Sequence, residues 1–444
     1  MYIVFFIERI HKPGYKDIDH ILPFIHMLGM SEGKHKVVGI IYGYSGSLIN
    51  STDPRVRQML RLNDVQVVNP FERYDRFFKI ISTLMDGRLK GVVKIFRPFI
   101  MSLIGRRYEK VKDKIKWEEV LGDDFVNADM PIVLNRAPTE KVGRVFRRLK
   151  EINQKCVWMV IPHGTTVCDN KMLQTTDMDR NESVVKKRTF EYIDYHLCTA
   201  ERDLLSAVEE GMLESKGHVI GSPRYCREWI TLKRQLKLDG PLPVGLRKAK
   251  VKILFLIPKK FINIFTEELI RTIEFIAKYD EINLIINRDS TGYPNLSKKL
   301  FKKNNVMDCL ISGEYSTGAL IDWADVVFHA GTGVIFESFV KEKITVLPRY
   351  LTCNTLICEQ YNAGWTLKNR DELREFCNMV VRSLKEAKRH YEREYGVANQ
   401  EYIADYVQGN SDSVRDNIVS VFREIQGKKS MRCDKLYEDK QGVS

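Results

Sequence analysis

The sequence lacks the cysteine patterns of zinc-binding and disulfide-stabilised proteins. Its nine cysteines lie between Cys156 and Cys433, and none of them forms a C-x-x-C pair. The closest two, Cys353 and Cys358, have no cluster of histidine and cysteine around them. We therefore expect neither a disulfide framework nor a structural zinc site, and reduced thiols in a cytosolic compartment fit this usage.

Long apolar runs are also missing. A membrane-spanning helix needs about 20 consecutive apolar residues, and the best stretch, 92–105, is interrupted by Lys94, Arg97 and Pro98. The first ten residues, MYIVFFIERI, have no basic region before the apolar run and no small-residue cleavage site. The sequence thus predicts no spanning helix and no signal peptide, and a cytoplasmic location.

Positive charge, by contrast, is in excess. The chain has 71 Lys and Arg against 58 Asp and Glu, which gives a formal charge of +13. Such an excess indicates an anionic partner, which charge alone leaves open between nucleic acid, anionic lipid and a phosphorylated substrate.

Short apolar runs alternate with amphipathic helical stretches along the 444 residues. This alternation predicts parallel sheets with helical crossovers, and the length suits two or three domains of about 100–200 residues. The Pro- and Gly-rich stretch 238–250 interrupts the rhythm. We therefore predict an α/β protein of two Rossmann-like domains facing a cleft, an N-terminal one (1–237) and a C-terminal one (251–425), with a linker at 238–250 and a polar, frayed tail at 426–444.

The clearest motif is FHAGTGVIFE, residues 328–337, in which a strand runs through small residues into a helix. The amides of Gly331, Thr332 and Gly333 suit a phosphate, and Glu337 suits the hydroxyls of a ribose. The spacing is neither GxGxxG nor a Walker A motif. His329 is either a packed residue or a phosphate contact. Two cations that follow C-terminal strands, Lys259 and Arg288, are candidates to neutralise a diphosphate.

A second motif is VIPHGTT, residues 160–166, where a strand ends in a turn. His163 is a candidate general base, because histidine titrates near neutral pH, with Gly164 and Thr165 beside it. The alternative is a histidine that only bonds its own loop. In VIGSPR, residues 219–224, Arg224 either clamps a phosphate or pairs with a local carboxylate.

Residues 73–116 interleave basic and bulky apolar side chains at helical spacing. This pattern is typical of a helix at an anionic membrane surface. The alternative is a helical insertion that packs on the domain. We do not expect nucleic-acid binding, because no recognised binding motif accompanies the charge.

Taken together, the two βα domains, the Gly/Thr-rich turn followed by Glu337, and the cationic cleft resemble a GT-B glycosyltransferase of surface-polysaccharide synthesis. Within that group, the HGT of His163–Thr165 and the GSPR of Gly221–Arg224 resemble the CDP-glycerol glycerophosphotransferase family. The resemblance implies a cytoplasmic enzyme, either soluble or peripheral on the inner face of the plasma membrane, in which His163 is the general base. It also implies that Gly331–Gly333 and Glu337 bind the nucleotide diphosphate.

The polyol-phosphate enzymes carry a second His-Pro pair where this chain has Asn287, Arg288 and Asp289. This difference favours an ordinary nucleotide sugar as the donor. The resemblance implies a growing glycan, often lipid-linked, as the acceptor. We expect no cofactor and no metal, because neither D-x-D triplet (17–19 and 177–179) directly follows a strand. The alternatives are a polyol-phosphate transferase, a sugar-nucleotide epimerase of the same fold, and a non-catalytic protein that binds an anionic glycan or lipid.

Overall fold

The structure is a computed structural model. It describes residues 1–7, 16–32, 35–41, 54–68, 70, 115–135, 140–162, 190–244, 246, 248–257, 264–288, 305–310, 315–409 and 411–441. The chain divides into two compact units. The first holds the described residues within Met1–His163, Arg188–Leu197 and Glu210–His218, and the second holds those within Cys198–Glu209 and Val219–Ser444.

Within the described residues, a seven-stranded sheet has the order β3-β2-β1-β4-β5-β6-β7. The pairs from β3 to β6 are parallel. The interior strand β1 is buried at every position, as expected of a parallel strand covered on both faces. The strands are β1 (Tyr2–Ile7), β2 (Lys36–Ile41), β3 (Val65–Val68), β4 (Pro131–Asn135), β5 (Val157–Val160), β6 (Tyr195–Cys198) and β7 (Gly217–Val219).

Helices alternate with these strands, as the sequence predicts. In the first of them, Ile18, Ile21, Leu22, Ile25 and Leu28 share one face, and all five are buried. The helices up to β8 are α1 (Lys16–Glu32), α2 (Pro54–Leu62), α3 (Trp117–Leu121), α4 (Asp123–Val126), α5 (Glu140–Ile152), α6 (Glu201–Glu209) and α7 (Arg227–Gln235).

The second sheet is parallel throughout, and its strands in the described part of the chain have the order β10-β9-β8-β11-β12-β13. The chain therefore adds strands on one side of β8 and then, from β11, on the other. These strands are β8 (Val251–Leu256), β9 (Ile282–Arg288), β10 (Val306–Leu310), β11 (Val326–His329), β12 (Ile344–Pro348) and β13 (Trp365–Leu367).

Both faces of this sheet are covered by apolar clusters. One face packs around Phe255 and Phe328 with the long C-terminal helices, and the other around Leu254 and Val327 with the helix that precedes β11. The remaining helices are α8 (Thr266–Ile276), α9 (Thr317–Trp323), α10 (Ile335–Val340), α11 (Ile357–Gln360), α12 (Arg370–Arg382), α13 (Leu384–Tyr406) and α14 (Val414–Gln441). Two Rossmann-like α/β units are thus confirmed.

Two helix predictions were wrong in their extent. The sequence of 371–391 predicts one long charged helix, but the structure has two helices, because Ser383 leaves the helical conformation and its side chain caps α13 by accepting from the N–H of Glu386. The sequence of 412–425 predicts a last amphipathic helix before a frayed tail, but this helix continues to Gln441. The periodic charge pattern runs through both positions, so it does not mark either boundary.

No helix in the described part of the chain is both long and apolar enough to cross a membrane. Apart from Ile115 and Lys116, the basic segment predicted to attach to a membrane lies outside the described residues.

Candidate functional site

The reversal of strand order between β8 and β11 places a site in the second unit. In open α/β sheets, ligands bind outside the carboxyl ends of the strands at such a switch point. The turn Gly331–Gly333 follows β11 directly, so the predicted phosphate-binding turn lies at this point. Gly331 has a φ of 97°, which favours glycine, and Thr332 and Gly333 remain partly exposed.

Gly333 leaves open space above its backbone. A Cβ atom built there has no neighbour within 4 Å among the residues described. A ligand can therefore approach the main chain at this position, whereas a methyl group would stand in its way without disturbing the fold.

His329 is the last residue of β11 and is fully buried, at 1% exposure. Its Nδ1 accepts a hydrogen bond of 3.4 Å from the backbone N–H of Gly331. Burial lowers the pKa of His329 to about 3. The imidazole is therefore neutral at physiological pH and carries its proton on Nε2, where it can donate but adds no positive charge.

Glu337 lies in α10, one turn after the glycine turn, and its carboxylate is held by two ammonium groups. Its Oε1 lies 2.8 Å from Nζ of Lys233 in α7 and 2.9 Å from Nζ of Lys341. The side chains of Glu337 and Lys341 are 6% and 1% exposed. Glu337, predicted to contact a ribose, thus has one oxygen already engaged.

Two further acids complete a buried charge cluster of Lys233, Asp239, Asp322, Glu337 and Lys341. Nζ of Lys341 lies 3.0 Å from Asp322 and 3.5 Å from Asp239, and Nζ of Lys233 lies 3.4 Å from Asp239. Lys341 also donates to the carbonyl of Gly318 at 3.0 Å. The cluster therefore ties α10 to α7, to α9 and to the turn at Asp239.

The pKa values of Glu337 and Asp239 in this cluster shift in opposite directions. Burial by itself raises the pKa of Glu337, but Lys233 and Lys341 outweigh burial and hold that pKa well below its ordinary range. Burial dominates at Asp239 and raises its pKa, with Glu337 and Asp322 adding to the rise against the two lysines. Of these two carboxyl groups, Glu337 therefore stays ionised throughout the physiological pH range.

The GSPR segment has a packing role in the second unit. Gly221 has a φ of 82°, and a Cβ atom built on it would lie 2.6 Å from the carbonyl oxygen of Val407. The N–H of Ser222 donates to that same oxygen at 2.7 Å. Arg224, the predicted phosphate clamp, lies with its guanidinium 5.0 Å from the ring centre of Tyr225.

Sequence reasoning missed two lysines and an asparagine of this region. Lys341 lies four residues after Glu337, so helical spacing could have indicated the pair. Lys233 is 104 residues away from Glu337, and only the tertiary structure brings them together. Asn287 lies fully buried next to the end of β9, and the sequence shows it only as a departure from a family motif.

Several predicted site residues lie wholly or partly outside the part of the chain that the structure describes. His163, Gly164, Thr165 and Lys259 lie outside the described residues. Arg288 ends β9, but its side chain lies outside the described part. Among the residues that the structure does describe, no group of three or more His, Cys, Asp or Glu side chains is arranged to hold a metal ion.

Among solved structures, the chain is similar to the wall teichoic acid polymerase TagF. One structure, of a TagF variant, has a TM-score of 0.51 and 10% identity, with 97% of this chain and 90% of that chain covered. A second, of the variant soaked with CDPG, also has a TM-score of 0.51, with 11% identity and 96% and 89% coverage. This likeness shows the fold, and the chain has the GT-B fold.

A weaker likeness joins the chain to HepE from Anabaena in complex with UDP, with a TM-score of 0.48, 12% identity, and 97% and 100% of the two chains covered. No protein-family model matches the sequence, and no curated protein matches it.

Proposed function

We propose that this protein is a metal-independent GT-B glycosyltransferase that moves a sugar from a nucleotide-activated donor to a hydroxyl group of a growing surface glycan. The observation that carries the proposal is the coincidence of three features in the second unit. The strand order reverses there, a glycine turn follows the strand at the reversal, and Gly333 leaves its backbone open to a ligand.

The turn and its neighbours suit a nucleotide diphosphate. Backbone amides at Gly331–Gly333 would hold the leaving phosphates, and the neutral His329 would donate a hydrogen bond from Nε2 without adding charge. Glu337 would contact the ribose through a carboxylate that Lys233 and Lys341 hold ionised. Lys259 and Arg288 remain the proposed cations for the diphosphate.

The acceptor side of the reaction rests on His163. If the reaction inverts the configuration of the sugar, His163 would take the proton of the acceptor hydroxyl. If it retains configuration, His163 would orient the substrate instead. The basic segment 73–116 stays the predicted contact with an anionic membrane, where a lipid-linked acceptor would be found.

The experiment is calorimetric titration with CMP, CDP, UDP and GDP of the wild-type protein and of Gly333→Ala. We expect one nucleotide to bind with micromolar affinity and Gly333→Ala to weaken it about tenfold, or about 1.4 kcal/mol. The matched control is Gly396→Ala in α13, where a Cβ atom also has no neighbour within 4 Å among the described residues. This control should bind as tightly as the wild type.

Absence of binding by all four nucleotides, with folded protein, would overturn the proposal. Preference for CDP would favour the polyol-phosphate alternative, to be checked with CDP-glycerol. The epimerase alternative is checked by incubating the protein with the matching nucleotide sugar and no acceptor. A second sugar nucleotide forms only if the protein is an epimerase.

A further inference from the structure

Asn287 is the second-last residue of β9, at the carboxyl edge of the second sheet, and it is 1% exposed. Its Nδ2 donates to Oγ1 of Thr317, the first residue of α9, at 3.3 Å. Its Oδ1 is buried, and no group in the described part of the chain donates to it. A buried acceptor without a donor costs free energy, so such an atom calls for a partner, which is either a ligand group or a bound water.

The position of Asn287 is set by the sheet register. Asn287 pairs with Leu256 of β8, and Leu256 pairs with His329 of β11. Residues in register on parallel neighbours point to the same face, so Asn287 and His329 share the face that packs against α9. Two strand spacings of about 4.8 Å put their Cα atoms about 10 Å apart, on either side of the switch point.

The chemistry of the free atom restricts what it can contact. A carboxamide oxygen only accepts hydrogen bonds, and a phosphate ionised at neutral pH also offers only acceptors. A phosphate would therefore leave Oδ1 unsatisfied. The group that completes it must bring an O–H or N–H, as a sugar or ribose hydroxyl, an amide or a nucleobase amine does.

We propose that Asn287 is a donor-substrate contact that accepts a hydrogen bond through Oδ1 from a neutral O–H or N–H group of the nucleotide sugar. This inference rests on the proposed function, because it takes the switch point of the second sheet as the donor site. It assigns the diphosphate to the glycine turn and a neutral part of the donor to the β9 side of the same edge.

The experiment compares Asn287→Leu with Asn305→Leu. Asn305 is also buried, but it lies at the opposite end of the sheet, just before β10. Its Nδ2 lies 3.0 to 3.5 Å from the carbonyls of Ile282, Tyr279 and Ala277. Thermal unfolding of each variant is measured, and so is calorimetric binding of the nucleotide identified with the wild type and of its sugar conjugate.

For Asn287→Leu we expect an unfolding temperature no lower than that of the wild type, because removal of an unsatisfied acceptor offsets the loss of the 3.3 Å hydrogen bond to Thr317. Binding should weaken about tenfold. For Asn305→Leu we expect the reverse, a lower unfolding temperature and unchanged binding. Weaker binding of the free nucleotide would place the contact on the base or ribose, and weakening confined to the sugar conjugate would place it on the sugar.

A loss of stability by Asn287→Leu as large as that of Asn305→Leu would show a structural role and overturn the inference. Unchanged binding by Asn287→Leu would also overturn it, with the proposed function still standing. If the wild type itself binds no nucleotide, the proposed function fails first, so the two failures are distinguishable.

Discussion

Replacing Lys341 by methionine tests whether the buried charge cluster holds the second unit together. The ammonium group of Lys341 contacts the carboxylates of Glu337, Asp322 and Asp239 and donates to the carbonyl of Gly318. Methionine has similar length but no charge, so the variant leaves three buried or half-buried carboxylates with fewer partners.

Removing one partner of a buried ion pair costs about 3–5 kcal/mol, because the other charge stays desolvated. Lys341 is 1% exposed, so we expect Lys341→Met to lower the free energy of unfolding by this amount. Lys388→Met in α13 is the matched control, because Lys388 also pairs with a glutamate four residues away, Glu392, at 3.6 Å. Those side chains are 52% and 60% exposed, so this pair contributes about 0.5 kcal/mol or less.

Urea unfolding followed by tryptophan fluorescence measures both losses, since Trp323 lies in α9 beside the cluster. The free energy of unfolding that Lys341→Met loses should also depend on pH. The depressed pKa of Glu337 gives the wild type a stabilisation that is present above the ordinary glutamate pKa of about 4.3 and fades as pH falls through the folded-state value. Asp239, whose pKa is raised, is protonated first in the variant, so the difference between variant and wild type shrinks in acid.

A loss for Lys341→Met no larger than that for Lys388→Met would refute the reasoning. So would a large loss that stays the same from neutral pH into the acid range, because the cost would then come from packing and not from the stranded carboxylates.

The remaining predictions concern three single positions. Gly221→Ala should lower the free energy of unfolding by about 3 kcal/mol or more, because φ is 82° and the new methyl group would meet the backbone of Val407 and Gln408. Gly396→Ala lies in a helix, where the new methyl group has open space among the described residues. It should raise the free energy of unfolding by up to about 1 kcal/mol in the same denaturation assay. His329 has a folded-state pKa of about 3 against an ordinary value of about 6.5, so the wild type should lose stability relative to His329→Leu as pH falls from about 7 to about 5. An unfolding temperature difference that does not change with pH would contradict this assignment of the histidine as buried and neutral.

The apolar patterns in the sequence determined the fold class and the position of most elements. The run Tyr2–Ile7 is buried at every position, and Val251–Leu256 is buried at every position except Lys252, so short-range apolar patterns suffice to recognise both strands. Two edge strands, Val65–Val68 and Trp365–Leu367, were not predicted. They are four and three residues long, and no residue of Val65–Val68 is fully buried, so the apolar signal of that strand is weak.

The glycine turn was also predictable, because the strand, the turn and the helix are consecutive in the chain and local sequence specifies them. The partners of its side chains were not. Lys233 reaches Glu337 across 104 residues, and the free acceptor of Asn287 follows from the register of β9 against β8. Local sequence determines which elements form, whereas the contacts that set charge, burial and hydrogen bonding at the site join distant segments, and only the folded chain brings those segments together.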